Sequence, residues 1–165
     1  MEIREAKPAD IPAIVALNDE VHGIHVRLFP AVFKPTDPAA LAEWFGEWLN
    51  DAKTKILVAS VDGGLQGYLT LRKEERPAHV FVEERRCAYI DQVCVTENSR
   101  RQGVFRAMLA EAEQVARQWG MSRLELDVWS ENTAAKQAFS RCGFQTYNEK
   151  MKLALDGPDL GECLA

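Results

Sequence analysis

No apolar run in this chain extends beyond a few residues; Ile56-Leu57-Val58-Ala59 is typical. A membrane-spanning helix needs roughly 20 apolar residues, so none is expected. Met1-Glu2-Ile3-Arg4 shows no basic segment leading into an apolar one, and no signal peptide is expected. Histidine is scarce, with only His22, His25 and His79. The cysteines at 87, 94, 142 and 163 form no CxxC pair. Neither set has zinc-ligand spacing, so no metal site is expected. The cysteines read as buried or incidental thiols of a reducing cytoplasm. Basic charge is in deficit, with 20 Lys+Arg against 25 Asp+Glu and a formal net charge of -5. That balance argues against non-specific nucleic-acid binding. Neither GxGxxG nor GxxxxGK[ST] occurs, which removes the main support for dinucleotide-binding and Walker-type readings.

What is present is ordinary for a folded chain: 47% hydrophobic and 27% charged residues over 165 positions. No repeat or linker divides it, so one domain is expected over residues 1–155, with 156–165 as a tail. Ile3 to Ala6 reads as an opening strand. Pro8 sits in the first turn of a helix whose apolar stripe runs through Ile11, Ile14, Val15, Leu17, Val21 and Ile24. Asp37 then Pro38 open a second helix carrying Leu41, Trp44, Phe45, Trp48 and Leu49. From Lys55 to Val61 the pattern turns to strand, and Asp62-Gly63-Gly64 signals a hairpin returning along Leu65–Leu71. Residues 73–86 read as a loop or as a hairpin extension. Ala88 to Val95 is the next strand, apolar enough to be buried on both faces. A long helix covers about Gly103 to Trp119, with Gly120 just past its end. A half-buried strand with Leu124, Leu126 and Val128 on one face follows. A shorter helix runs from about Thr133 to Cys142, and one or two last strands are expected between Phe144 and Leu153. The order predicts an α/β fold with a mixed sheet and helices on its faces.

Chemistry concentrates between Val93 and Arg106. A buried strand ends there, a turn with Arg100 and Arg101 follows, and Gly103 opens the long helix, with Arg106 in its first turn. The first N–H groups of a helix lack internal partners and carry the positive end of the dipole, a ready seat for a pyrophosphate. Glycine there lets phosphate oxygens approach the main chain.

The stretch Arg100-Arg101-Gln102-Gly103-Val104-Phe105 resembles the acetyl-CoA signature Q/R-x-x-G-x-G/A of the GCN5-related N-acetyltransferase (GNAT) family. The first and fourth positions match; Phe105 stands where the family has Gly or Ala. About 30 residues further on, Asn132, Ala135, Phe139, Gly143 and Phe144 match the spacing of N-x-x-A-(x)3-Y-(x)3-G-F, with Phe139 in place of the Tyr. The resemblance covers roughly residues 3–153. It implies a central mixed, mostly antiparallel twisted sheet of six to seven strands flanked by about four helices. It also implies direct acetyl transfer from the acetyl-CoA thioester to a primary amine of a small molecule or peptide, with no covalent enzyme intermediate and no metal.

By the same resemblance, the signature strand parts from its neighbour and admits the pantetheine arm. Val93, Cys94 and Val95 would meet that arm, with Val93 and Val95 offering main-chain groups. Arg100, Arg101, Gln102, Gly103, Val104, Phe105 and Arg106 would hold the pyrophosphate. Asn132 would reach the pantetheine and Phe139 would lie near the sulfur. Asp91, on the signature strand nine residues before Arg100, is the candidate general base. Phe139 lacks the hydroxyl that would protonate the leaving thiolate; Tyr147 is the candidate substitute and Cys142 a weaker one. His25, Phe29, Phe33, Tyr89, Asp91 and Trp129 are the acceptor-side candidates. Two other readings stay open here: a non-catalytic acyl-CoA-binding module, and an unrelated α/β nucleotide-binding protein. Monomer and homodimer are both open, a homodimer being the commonest closed assembly.

Overall fold

The structure, a computed structural model, describes residues 1–153 and 155. The expected tail, residues 156–165, and Cys163 lie outside the described residues. The chain falls into two compact units, one spanning Met1–Glu131 and the other beginning at Asn132.

The first unit is built on one five-stranded sheet in the order β1 (Glu2–Glu5), β2 (Thr54–Val61), β3 (Gly64–Arg76), β4 (Arg85–Val95), β5 (Leu124–Leu126). The first four strands are antiparallel neighbours, and β5 joins β4 in parallel, so the sheet is mixed as expected. The β2–β3 turn places Asp62 at φ 51 and Gly63 at φ 83, the paired left-handed conformation that a two-residue hairpin favours. Of the two readings for residues 73–86, the hairpin extension is the one formed. β3 runs to Arg76 and β4 starts at Arg85, with Arg76 paired to Arg85.

Helices α1 (Ile11–Leu28) and α2 (Pro38–Asn50) cover one face. The Asp37 carboxylate accepts from the Ala39 N–H and Pro38 takes the first helical position, the expected cap. Their apolar stripe meets a core of Ile14, Leu17, Phe45, Ile56, Val58, Tyr68 and Cys94. Trp44 and Trp48 pack against that core and belong to it. Helix α3 (Val104–Gln118) covers the opposite face with Val104, Met108, Leu109, Ala112, Val115 and Ala116 buried. It lies close because Gly67 leaves room: a Cβ there would sit 2.6 Å from the Cys94 carbonyl oxygen and 3.2 Å from Met108 Cε.

Two expectations are corrected. Among the described residues the sheet has five strands rather than six or seven, because no strand forms in residues 144–153. Phe144, Tyr147, Met151 and Leu153 do not keep a period of two, and the last three are exposed, so that segment presents no face to bury. In β5 the half-buried pattern is inverted. Glu125 is the buried residue and its leucine neighbours are only half-buried. Arg85 and Arg123 both bind the Glu125 carboxylate, which makes its burial tolerable. In the second unit, α4 (Thr133–Arg141) is capped by the Asn132 side chain, which accepts from the Ala135 N–H at 3.1 Å, and closes at Gly143 with φ 94. Among the described residues no helix is long and apolar enough to cross a membrane.

Candidate active site

Strand β4 has two different edges. Toward β3 it is paired from Arg85 to Val95, interrupted only by a register shift that leaves Asp91 as an extra residue. Toward β5 it is paired only at Ala88, Tyr89 and Ile90. β5 stops at Leu126, while β4 runs on through Asp91–Val95, and among the described residues no strand pairs with that stretch on its β5 side.

Successive peptide groups of a strand point to alternate edges. The Ala88 N–H donates to the Arg123 carbonyl at 3.1 Å, so even-numbered residues here face β5. Beyond Asp91 the sense reverses: the Gln92 N–H donates to Thr70 Oγ1 at 2.9 Å and the Thr96 N–H to the Gln66 carbonyl at 2.9 Å, both on β3. The bulge therefore turns the main-chain groups of Val93 and Val95 toward the open edge. The Val95 carbonyl accepts from Arg100 Nε at 3.2 Å. Cys94 does the opposite. Its peptide faces β3, its thiol reaches the Leu17 carbonyl at 3.2 Å, and burial pushes that thiol up to about 12.

Past Val95, the short turn Glu97–Ser99 leads into a loop of unusual backbone. Arg101 has φ 63 and Gly103 φ 83. A side chain at φ near +60° is strained, and such strain clusters at functional sites. Gln102 Nε2 donates to the Asn98 carbonyl at 2.7 Å, bracing the loop. The helical ladder of α3 begins with the Ala107 N–H donating to the Gly103 carbonyl at 3.0 Å, which leaves the amides of the first turn, such as Val104 and Arg106, outside it. No side chain caps that end. Arg100, Arg101 and Arg106 are exposed around it. A hollow of about 640 Å³ opens beside the loop, lined by Arg27, Gln66, Thr96, Glu97, Asn98 and Arg100 among others.

A charged cluster lies on the α1 face of β3 and β4. Arg72 Nη2 bonds Glu74 Oε1 at 2.9 Å and lies 3.5 Å from Asp91 Oδ1. Its guanidinium stacks 5.1 Å over the Tyr89 ring, and its Nε is buried with no partner among the described residues. Burial raises the Asp91 carboxyl above the ordinary aspartate range, Arg72 opposes that rise and Glu74 adds to it. The Tyr89 hydroxyl is pushed up by burial and by its hydrogen bond to the Asp127 carboxylate.

An aromatic group gathers at the C-terminal end of α1. Phe29 and Phe33 lie 4.8 and 5.0 Å from Trp129, and His25 stacks on Phe33 at 5.2 Å. Burial, then the neighbouring His22, lowers the His25 imidazole. Asp127 and Trp129 follow β5 two residues apart, so one segment supplies both the tyrosine's partner and the aromatic wall. Among the described residues no group of three or more His, Cys, Asp or Glu could hold a metal ion.

Comparison with known proteins places the chain in a family. The family model for the acetyltransferase (GNAT) family matches residues 18–144. The chain belongs to the GNAT family of acetyltransferases. The L-amino acid N-acetyltransferase AaaT of Escherichia coli (strain K12) is 29% identical over 102 residues, 61% of this chain and 59% of that protein, so the match spans less than two thirds of that relative. A variant of the BH1408 protein of Bacillus halodurans superposes with a TM-score of 0.89 at 25% identity, covering 94% of this chain and 99% of that one. An aminoglycoside 6'-N-acetyltransferase of Acinetobacter haemolyticus shares the fold at a TM-score of 0.76 and 17% identity, covering 93% and 97% of the two chains.

Within this GNAT chain the expected residues fall into groups. Val93, Val95 and Arg100–Arg106 lie along the open edge and the helix start. Asp91 and Tyr89 share the charged cluster, and His25, Phe29, Phe33 and Trp129 form the aromatic one. Asn132, Phe139 and Tyr147 belong to the second unit, where Asn132 caps α4, Phe139 packs edge-on to Phe144 at 5.9 Å and Tyr147 is exposed. Sequence reasoning missed Arg72, Glu74 and Asp127, whose partners are set only by strand register. It also missed Asn18, although a polar residue one turn beyond Ile14 on a buried stripe was a visible signal.

Proposed function

We propose that this GNAT acetyltransferase, as a single domain over residues 1–155, moves an acetyl group from acetyl-CoA directly to a primary amine of a small molecule or peptide in the cytoplasm. The supporting observation is the open edge of β4. Main-chain groups of Val93 and Val95 face the β5 side, where no strand among the described residues pairs with them, a few residues before a helix start ringed by arginines. An amide-bearing pantetheine arm is the natural complement of a strand edge, and a pyrophosphate that of the α3 N-terminus. The residues thus fit the co-substrate. When bound, it supplies a thioester carbonyl open to attack by an amine.

The chain's own groups then have defined work. First-turn amides of α3 with Arg100, Arg101 and Arg106 bind phosphate oxygens. Peptide N–H groups at Val93 and Val95 orient the thioester and stabilise negative charge on its oxygen. Asp91, its carboxyl raised above the ordinary aspartate range by burial, accepts the proton of the incoming ammonium, directly or through water. Tyr89, Phe29, Phe33, His25 and Trp129 bound the acceptor. For Asn132, Phe139 and Tyr147 the roles stay those the family resemblance implies.

The test is incubation with acetyl-CoA and a panel of small and peptide amines, following free thiol. Release of thiol above the hydrolysis background with at least one amine is expected. Tight acetyl-CoA binding with no turnover across the panel would instead select the acyl-CoA-binding module.

A further inference from the structure

We infer that Asn18 and Tyr68 are positioning residues for the cofactor edge, acting through Gln92 on the main chain of Val93 and Val95. This inference rests on the acetyl-CoA reading of the open edge. The three side chains close a ring. Asn18 Nδ2 donates to the Tyr68 hydroxyl at 2.8 Å and to Gln92 Oε1 at 2.9 Å, and the Tyr68 hydroxyl donates to the same Gln92 oxygen at 2.9 Å. Both amide protons of Asn18, the tyrosine proton and both lone pairs of Gln92 Oε1 are thereby used, which fixes the amide orientation of Gln92. Tyr68 is fully buried and Asn18 nearly so, at 0% and 5% exposure. Leaving any member unpaired there carries a desolvation cost.

The position of the ring gives it a task. A bulge is a local break in a ladder, and a slip of one residue sends every following group to the opposite side. Gln92 is the first residue after the bulge. Its N–H is held by Thr70 Oγ1 and its side chain by α1 and β3. Two residues on, the Cys94 thiol is held by the Leu17 carbonyl, next to Asn18 on α1. The residues on both sides of Val93 are thus tied down toward α1, and Val93 and Val95 keep their peptide groups turned to the gap. Neither Asn18 nor Tyr68 touches that gap in this scheme; they hold the register that aims it.

The test uses the full chain with Tyr68→Phe, which deletes one hydroxyl, and Asn18→Leu, which deletes both donors at similar volume. A core control, Leu57→Ala, lowers the melting temperature from the other face of β2. Calorimetric titration with acetyl-CoA is expected to show binding weakened about tenfold in both ring variants. The KM for acetyl-CoA should rise more than that for the amine, and the Val93 and Val95 amide resonances should shift in ligand-free protein. The control should melt lower and do neither. Gln92→Glu keeps the acceptor oxygen and should bind within about threefold of wild type, whereas Gln92→Met should follow the ring variants. Wild-type affinity and unmoved Val93 and Val95 resonances in either ring variant would overturn the inference, even if its melting temperature falls. If the wild type itself binds no acetyl-CoA while those resonances still move in the variants, the ring's hold on the main chain stands and the acetyl-CoA reading is what fails.

Discussion

The two edges of β4 are made from the same residues and end in opposite states. The β3 edge stays paired from Arg85 to Val95 and absorbs a bulge on the way. Among the described residues the β5 edge pairs only from Ala88 to Ile90, and no strand pairs with the stretch beyond. An unpaired edge inside a domain is normally closed, because each lost main-chain hydrogen bond costs free energy and an open edge invites association. Here the opening coincides with the bulge that reverses peptide direction and leads to a helix start with no side-chain cap. In the proposed reading, the co-substrate surface is main chain aimed by a register defect, with arginines at one end and carboxylates and rings at the other.

The sharpest way to break that contrast is at the arginine end. Gly103→Glu puts a carboxylate where phosphate oxygens are proposed to sit. Acetyl-CoA binding should fall more than 100-fold by titration. The fold should tolerate the change: a Cβ at Gly103 meets nothing within 4 Å, so the main cost is a side chain at φ +83°, about 1 kcal/mol. A melt within a few degrees of wild type with lost binding is the expected pair of results. Retained affinity would move the phosphate site elsewhere.

The open edge was only partly readable in advance. Helix α3, with Gly103 before it and Gly120 after it, follows from local chemistry: an apolar stripe of period 3.6 between residues that adopt positive φ. The Asp62-Gly63 hairpin is legible for the same reason. The direction of the Val93 and Val95 peptides is another matter. It depends on one extra residue, Asp91, relative to a strand twenty residues earlier, and nothing in the local pattern announces a bulge. Glu125 shows the same limit: alternation places it outward, and only the arrival of Arg85 and Arg123 makes its burial affordable. The expected strands in 144–153 failed for the opposite reason, since β-like residues there lack a face to bury. Motif spacing marks the proposed site, while register decides which main-chain groups face its edge.

At the carboxylate end, Asp91→Asn should lower kcat about 100-fold with little change in acetyl-CoA affinity, the ordinary loss for a general base. Because burial raises the Asp91 carboxyl in the folded state, the ionised form destabilises the protein above the unfolded-state pKa. That penalty grows as pH rises through the window between the unfolded value and the raised folded one. The Asn variant should therefore melt slightly above wild type at neutral pH and equal it in acid. A variant that is slower and less stable would contradict the assignment. Arg72→Met is the smaller companion change. It removes the cation that opposes the rise, so the acid limb of the kcat/KM profile should move to higher pH. An unmoved limb would uncouple Asp91 from proton transfer.

The mildest change tests whether the rings matter to the acceptor alone. Trp129 is 41% exposed and touches both Phe29 and Phe33. Removing an aromatic partner of this kind is worth about 1 kcal/mol, roughly fivefold in an equilibrium constant. Trp129→Ala should raise the KM of the amine by about that factor and leave acetyl-CoA binding and the pH profile unchanged, because neither the open edge nor the Arg72–Asp91 pair depends on it. An equal loss for both substrates would mean that the aromatic group supports the strand opening itself, and the division between a main-chain cofactor surface and a side-chain acceptor surface would have to be redrawn.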